Sequence, residues 1–424
     1  MKENSYPTIN QKMISHTCSN GLRVCIFPKP GFKRAYAQFS VNYGSIDISF
    51  DADGERYTSP LGVAHFLEHK VFEQPDGGNA LAIFAKTGAN PNAFTSNTMT
   101  AYHFSGTDKF MRNLEVLLGF VMTPYFTEEN VKKEQGIIGQ EISMVNDRPG
   151  WRVFENLMSS LYITHPVKDS IIGTVESIGN ITREVLFKCY NTFYIPSNMS
   201  LCVAGDVSPE EIIAAAESIL PKEKKAPPKR DYGVEEGFVK NARVEETAEI
   251  AIPQFAVGAK INIETFGERG MRNRIISDLA ADILGGPSSA LYSKLYSDGD
   301  ITSDFVSEAT SFPDTITMMI SGESRDPEKV YEKIMEHARK LSKDIDVPYF
   351  ERIKKAHLGL RRRSLDSVSS LCREQSEALF SGYDYLDTIE VINEIEPYEI
   401  CDFIRRAFKD ESTALSVVRG KQVE

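Results

Sequence analysis

The sequence has few of the features that mark membrane or secreted proteins. Its longest apolar run, around Leu114 to Met122, is far shorter than the roughly 20 apolar residues that a membrane-spanning helix needs. The first residues, MKENSYPTINQK, lack the apolar core of a secretory signal. The six cysteines are scattered and include no C-x-x-C pair, which is typical of reduced thiols. We therefore expect a cytoplasmic protein without a membrane partner.

Positive charge is also scarce. Lysine and arginine total 48 against 60 aspartates and glutamates, which gives a formal net charge of −12. Proteins that bind nucleic acids concentrate lysine and arginine against the phosphates, so we expect no nucleic-acid partner. Hydrophobic residues make up 41% of the chain and charged residues 25%, as in ordinary globular proteins. A chain of 424 residues with this balance predicts two or more domains.

A segment rich in proline and lysine, PKEKKAPPKRDYG, divides the chain near its middle. Apolar periodicity stops at this segment, so it predicts an exposed linker at residues 221–233 between a first domain at 1–220 and a second at 234–424. Each half begins with β-rich segments, GLRVCIFP and AYAQFSVNYGS in the first, and EETAEIAI and QFAVGAKINI in the second. Each half also closes with a helix and an extended segment, NMSLCVAGD in the first and TALSVVRG in the second.

Long helical patterns lie between these segments, at residues 109–122, 128–144 and 326–342. Strands at both ends of each half, with helices between them, are typical of a sheet that carries helices on one face. The repetition of this order in the two halves indicates an internal duplication. The sequence therefore predicts an α+β protein of two homologous domains.

The segment GVAHFLEHKVFE, residues 61–72, contains two of the seven histidines on either side of a glutamate. At about 100° per residue, His65, Glu68 and His69 project from a helix within one narrow arc. Two imidazoles one turn apart can hold a metal ion, and the carboxylate can then take a proton from a bound water. The pattern H-x-x-E-H is that of the inverted zincins and predicts a zinc-dependent hydrolase. The competing interpretation is a pair of hydrogen-bonded core histidines.

Zinc needs a third ligand from the protein. The helical segment NVKKEQGIIGQEISMVND contains Glu134 and Glu141, seven residues apart, which places both carboxylates on one helix face. Ile137 and Ile138 lie close to that face, so we expect it to point inward. A buried glutamate needs a partner, which is either a metal ion or the cation of a salt bridge. The spacing alone leaves the choice between Glu134 and Glu141 open.

Together these residues resemble the insulinase, or pitrilysin-like, family of metallopeptidases. Members carry H-x-x-E-H on one helix and two acidic residues, seven apart, on a later helix, and the second of these is the third ligand. The resemblance therefore assigns Glu141 to a single Zn²⁺ per chain and gives Glu134 a supporting role. GVAHFLEH and YIPSNMSLCVAGD also fit the family pattern. HFLEHK and KEQGIIGQE are similar to a bacterial cytoplasmic branch of two-domain subunits.

The resemblance also implies a fold and an activity. Each half would be one domain of a paired α+β fold, and the halves would assemble as a clamshell around a closed chamber, as in the mitochondrial processing peptidase-like fold. An extended peptide would pair with an edge strand at NAFTS through Asn92, Ala93 and Phe94 and be cut with Glu68 as general base. We therefore expect a zinc endopeptidase for peptides or small unfolded proteins. The alternative is a non-catalytic or precursor-specific processing subunit of a heteromeric complex.

One part of the family pattern is missing from this chain. The family places an arginine and a tyrosine in the second domain of the partner half, where they bind substrate and stabilise the transition state. In the corresponding segment, GGPSSALYSKLYSDGDITSDFVSEA, Tyr296 stands at the arginine position and Ser303 near the tyrosine position. The resemblance therefore implies a heterodimer with a homologous chain that supplies the pair. A homodimer in which another arginine, such as Arg325, takes the role is the alternative.

Overall fold

The computed structural model describes residues 1–421 except Asp53 and Asp76. The last three residues of the predicted second domain, 422–424, lie outside the described residues. In chain order the strands are β1 (Lys2–Tyr6), β2 (Gln11–Thr17), β3 (Arg23–Pro28), β4 (Ala35–Val41), β5 (Ser49–Ala52), β6 (Glu55–Thr58), β7 (Asn90–Thr95), β8 (Thr100–Gly106), β9 (Met199–Gly205), β10 (Arg243–Ala248), β11 (Gln254–Asn262), β12 (Phe305–Phe312), β13 (Thr315–Glu323) and β14 (Thr413–Gly420).

The helices are α1 (Val63–Val71), α2 (Ala80–Ala85), α3 (Phe110–Val121), α4 (Glu128–Asn146), α5 (Pro149–Leu161), α6 (Val175–Gly179), α7 (Arg183–Phe193), α8 (Pro209–Ile219), α9 (Gly267–Gly285), α10 (Ala290–Ser297), α11 (Pro327–Leu341), α12 (Val347–Ser364), α13 (Val368–Phe380), α14 (Thr388–Glu394) and α15 (Pro397–Ala407). The helices predicted within 61–72, at 109–122, at 128–144 and at 326–342 are confirmed as α1, α3, α4 and α11.

Two large sheets repeat one topology. Over the described residues, the first sheet has seven strands in the order β1-β2-β3-β9-β4-β8-β7, and the second has five in the order β10-β14-β11-β13-β12. In both sheets a parallel pair, β3 with β9 or β10 with β14, is followed by three strands that pair antiparallel. This correspondence confirms the predicted α+β fold of two homologous units.

The two halves exchange a helix. Each sheet carries helices of its own half on one face, as predicted. The opposite face of the second sheet is covered by α5, whose Leu157 and Leu161 pack with Ala256 and Val418 of that sheet. The opposite face of the first sheet is covered by α13 from the second half. Two further hydrophobic clusters, one on this opposite face of each sheet, thus combine residues from both sides of the linker. The boundary at 221–233 stays a prediction.

The end of the linker is anchored to the first half, at Asp47 between β4 and β5. Residues 221–227 are exposed, as predicted, but the side chain of Arg230 is only 14% exposed and forms an ion pair with buried Asp47 at 2.8 Å. The Tyr232 hydroxyl donates to the same carboxylate at 2.9 Å. The prediction of an exposed linker is therefore wrong for these two residues, because the sequence pattern does not reveal their distant partner.

Two further expectations concern cysteines and membranes. All six cysteines are free thiols, and five of them are buried. Across residues 1–421 without 53 and 76, none of the helices combines the length and the apolar character that crossing a bilayer requires.

Candidate metal centre

The helix that carries H-x-x-E-H is oriented by buried apolar side chains. Gly62 precedes α1 at φ +85°, and a Cβ atom there would lie 2.7 Å from the Ile172 carbonyl oxygen, so this start of the helix requires glycine. Val63, Phe66 and Leu67 are at most 2% exposed and hold one side of the helix against the core. The other side, with its imidazoles, faces α4.

His65, His69 and Glu141 converge on one point between α1 and α4. One ligand atom from each side chain lies within 4.8 Å of the others. Nε2 of His65 is 3.8 Å from Oε1 of Glu141, and Nε2 of His69 is 3.8 Å from Oε2. The Glu141 side chain is 32% exposed, so the group opens to solvent on that side. The structure therefore brings together the three residues that the sequence suggested as ligands.

The donor set fits zinc. Two imidazole nitrogens and a carboxylate oxygen form the three-residue set of catalytic zinc sites, which leaves a position open for water or substrate. Burial lowers the pKa of His65 to about 4, and the neighbouring His69 adds to the effect, so this imidazole is neutral, as a metal ligand must be. Within the described residues, Glu141 has no lysine or arginine partner, so a salt bridge does not account for it. A zinc ion would be held by His65, His69 and Glu141.

Glu134 lies beside the histidines rather than at their point of convergence. Its Oε1 is 2.9 Å from Nδ1 of His69, where an N–H on Nδ1 donates to the carboxylate and leaves Nε2 free to face Glu141. Burial opposes the shift, but this hydrogen bond and the charge of Glu134 raise the pKa of His69. Burial alone would raise the pKa of Glu134, but the hydrogen bond with His69 lowers it. Glu134 therefore fixes the orientation of His69.

The face of α4 that carries the two glutamates only partly matches the prediction. Glu134 is 6% exposed and Ile138 is fully buried, as expected for an inward face. Ile137 is 44% exposed, so only Ile138 of the two isoleucines near this face points inward. One residue along a helix rotates a side chain by about 100°, which separates these neighbours.

Glu68 occupies the side of α1 next to the convergence point and is held by a threonine. Thr95 Oγ1 donates to Glu68 Oε2 at 2.6 Å. Burial raises the pKa of Glu68, while the hydrogen bond from Thr95 opposes that rise. Oε1 remains available to another partner. Thr95 is a site residue that the sequence did not predict, although it lies within the NAFTS segment that predicted the substrate-pairing edge.

Lys70 is a second residue that the sequence analysis missed. Its side chain is fully buried, and Nζ lies 3.4 Å from Glu134 Oε2 and 2.6 Å from Glu73 Oε1. Asn130, in the first turn of α4, donates to the other oxygen of Glu73 at 2.9 Å. These contacts tie the end of α1 to the start of α4. A lysine directly after the motif, in an otherwise apolar run, is the signal that could have indicated this contact.

The strand next to the site, β7, is the free edge of the first sheet. The Ser96 amide donates to the Met99 carbonyl at 2.8 Å, so these two residues form a hydrogen-bonded pair at the tip of the hairpin. Hydrogen-bonded pairs alternate along an antiparallel ladder. The backbone groups of Phe94 and Ala101 therefore form hydrogen bonds with each other within the sheet. The amide of Ala93 instead points away from β8, towards the open edge of the sheet.

The three residues predicted to pair with substrate have different surroundings. The outward amide of Ala93 donates to the Asn92 side-chain oxygen at 2.9 Å. The Phe94 side chain lies on the opposite face of β7 from the Ala93 side chain. Its ring lies under the guanidinium of Arg373, whose central carbon is 4.7 Å from the ring centroid. Arg373 belongs to α13, the helix contributed by the second half. The two halves thus meet beside the edge strand.

The segment of the second half that lacks the family's arginine and tyrosine lies on α10 and after it. Tyr296 is 55% exposed and stacks on Tyr292, with ring centroids 5.9 Å apart. Ser303 and Arg325 are also exposed. Within the described residues, no hydrogen bond, ion pair or ring contact joins any of the three to His65, His69 or Glu141.

Comparison with known proteins agrees with this geometry. Two family models match the chain: Insulinase (Peptidase family M16) at residues 45–175 and Peptidase M16 inactive domain at residues 180–356. The chain is 36% identical to the uncharacterized zinc protease YmfH of Bacillus subtilis (strain 168), over 99% of both chains. It is 28% identical to the mitochondrial-processing peptidase subunit beta of Caenorhabditis elegans, over 44% of this chain and 42% of that one.

A solved structure extends the likeness to the whole fold. The crystal structure of an M16-like peptidase from Alicyclobacillus acidocaldarius superposes with a TM-score of 0.93 at 33% identity, covering 99% of this chain and 100% of that chain. Fold and site together define a metallopeptidase that uses zinc as its cofactor. The chain belongs to the insulinase family, peptidase family M16, which confirms the resemblance.

Proposed function

We propose that this chain is a zinc endopeptidase that cuts peptides or small unfolded proteins, with Glu68 as the general base. The observation that supports this most directly is the convergence of His65, His69 and Glu141 beside a buried carboxylate. All three ligands and the base are present, which disfavours the alternative of a non-catalytic subunit. A precursor-specific processing peptidase is a narrower form of the same proposal.

A zinc ion held by His65, His69 and Glu141 would supply Lewis-acid chemistry, which lowers the pKa of a water molecule and polarises a carbonyl group. Thr95 holds Oε2 of Glu68, so Oε1 accepts the proton of the attacking water. Glu68 then gives this proton to the amide nitrogen of the leaving product as the C–N bond breaks. Burial raises the pKa of Glu68 and so makes the protonated intermediate state of this carboxyl accessible. Glu134 holds His69 in place throughout.

We infer that substrate binds as an added strand along β7. The outward amide of Ala93 is a backbone donor at a free sheet edge, and it is occupied by the Asn92 side chain, which a peptide carbonyl can displace. Phe94 lies on the face next to Arg373 and lines the space beside the strand. Because backbone pairing reads no side chains, the sequence preference should be loose. A closed chamber formed with a second chain would instead select substrates by size and flexibility.

We further propose that the active form is a heterodimer in the cytoplasm. Tyr296 and Ser303 stand where the family pattern has its arginine and tyrosine, so a homodimer would lack a cation at that position opposite the zinc. One hydrogen-bond donor aimed at a developing oxyanion contributes about 10²–10³ in rate. A homologous chain that carries both residues would restore this donor. A homodimer that uses Arg325 is the competing assembly.

The decisive experiment compares the purified chain with the same chain co-expressed with a homologous subunit from the same cell. Zinc content, subunit composition and cleavage of an unstructured peptide are measured for both. We expect the rate of peptide cleavage to fall by about 10²–10⁴-fold in Glu68→Gln, while the zinc content stays the same. Glu115→Gln, on an exposed side chain of the same half, is the matched control and should be unchanged. Near-normal cleavage by Glu68→Gln would reject Glu68 as the base, and full activity of the isolated chain would reject the heterodimer.

A further inference from the structure

A second group of side chains with metal-binding donor atoms lies at the end of β2, on elements that contribute nothing to the first centre. His16 and Cys18 are two residues apart, and Glu217 stands in the last turn of α8. One ligand atom from each side chain lies within 4.8 Å of the others. Residues two apart on an extended chain point to the same side, so His16 and Cys18 face α8 together.

One nitrogen of this group lacks the hydrogen-bond partner that a buried polar atom needs. Nε2 of His16 is buried and forms no hydrogen bond with any of the described residues. Its nearest carboxylate oxygen, Oε1 of Glu217, is 3.5 Å away. The Cys18 side chain is 3% exposed. A buried polar nitrogen without a hydrogen bond is destabilising, and a metal ion at this point would offset that cost.

The surrounding backbone fixes these positions. The turn after Cys18 is closed by bonds from the Cys18 amide to the Leu22 carbonyl and from the Gly21 amide to the Cys18 carbonyl, both at 2.9 Å. The Asn20 side chain donates to the Pro221 carbonyl at 2.8 Å, which joins the turn to the residues after α8. A site built on such a turn changes little when a ligand binds.

We propose that His16, Cys18 and Glu217 form a second metal site, for zinc or a chemically similar divalent ion. One imidazole nitrogen, one thiolate sulfur and one carboxylate oxygen suit a tetrahedral zinc site whose fourth ligand is water. On binding, the Cys18 S–H bond breaks, the sulfur–metal bond forms and the proton passes to solvent. The ion would clamp α8 to the end of β2, so its role is structural.

The anionic ligands of this site suit a bound cation. A divalent ion held here would stabilise the Cys18 thiolate and the Glu217 carboxylate together. The neighbouring cation, Lys222, donates to the backbone carbonyl of Glu217 rather than to its carboxylate. Nδ1 of His16 lies 3.4 Å from the Met1 nitrogen and leaves Nε2 for the metal.

Cobalt titration of the full chain tests this site independently of the first one. Cobalt bound to a thiolate gives a near-ultraviolet sulfur-to-metal absorption band, which a site of two imidazoles and a carboxylate cannot give. After removal of metal with a chelator, we expect the band to appear with Co²⁺ and to persist in Glu141→Gln. The total zinc content should be about two ions per chain and fall to about one in either Cys18→Ser or Glu141→Gln.

The variants separate this site from other thiols and from unfolding. Cys18→Ser should abolish the band, and Cys401→Ser, at a partly exposed thiol, should keep it. Glu217→Gln changes a side chain that is 44% exposed, so the fold is retained, and it should weaken cobalt binding at least about tenfold. Absence of the band in the unaltered chain, or its persistence in Cys18→Ser, would overturn the proposal. Failure of the first centre to bind zinc would leave the band intact.

Discussion

The ammonium group of Lys70 lies 3.4 Å from Oε2 of Glu134, inside the protein, while the other oxygen of that carboxylate faces His69 at 2.9 Å. Glu134 thus connects a fully buried cation to a metal-site histidine. Lys70 also pairs with Glu73 at 2.6 Å. Because removal of one partner leaves the others buried with an uncompensated charge, this contact has consequences for both stability and metal binding.

Replacement of Lys70 by methionine should destabilise the protein. Glu134 and Glu73 would then lose their shared cation, and breaking a buried ion pair costs about 3–5 kcal/mol. Zinc affinity should fall by about 10–100-fold, because Glu134 would no longer be held against His69. Denaturant unfolding and zinc titration measure the two effects. Lys132→Met, at an exposed position of α4, serves as control, and equal behaviour of the two variants would contradict the assigned role of Lys70.

The two glutamates of α4 should differ in their effect on zinc. Glu141→Gln removes an atom at the convergence point and should empty the first centre at low chelator concentration. Glu134→Gln keeps all three ligand atoms and should weaken binding by only about 10–100-fold. Metal analysis during chelator titration checks the order. If Glu134→Gln loses zinc more readily, the two roles must be exchanged.

Proline at Ala93 should weaken substrate binding without disturbing zinc. It removes the outward amide of the free edge, whereas Phe94→Pro would remove an amide that bonds within the sheet. We expect KM for unstructured peptides to rise about tenfold, the value of one lost hydrogen bond. Ala93→Ser keeps the amide and is the matched control. Unchanged KM values across several peptides would argue against strand addition at β7.

Acid should destabilise the fold through His165, which is 2% exposed and connects the halves. Nε2 donates to the Pro313 carbonyl at 3.1 Å, and Nδ1 accepts from the Val167 amide at 3.1 Å, so a second ring proton has no acceptor. Burial lowers the pKa of His165 to about 4, although the hydrogen bond to the Pro313 carbonyl and the charge of Glu235 act in the opposite direction.

The sign of the effect follows from proton binding. Between pH 6.5 and 4 the unfolded chain binds a proton at this histidine and the folded chain does not, so stability falls as the pH decreases through this window. The loss attributable to His165 should approach about 3 kcal/mol at pH 4. Unfolding free energies measured from pH 7 to 4 should show a shallower decline in His165→Gln. Parallel curves for the two proteins would refute the assignment.

Local periodicity determined a large part of the site. His65, Glu68 and His69 share a helix face because their spacing fits 3.6 residues per turn. Five consecutive residues are enough to define this spacing. The same reasoning located α3, α4 and α11. These features depend on contacts within one element, so the sequence alone was sufficient to predict them.

Tertiary packing decided the rest. The choice between Glu141 and Glu134 as the residue at the convergence point depends on how α4 lies against α1, since both glutamates occupy one face. The contact of Thr95 with Glu68 and the burial of Arg230 against Asp47 join residues far apart in sequence. The exchange of α5 and α13 between the sheets has the same origin. The sequence of an amphipathic helix shows which of its faces is apolar, but only the assembled fold determines which sheet that face covers.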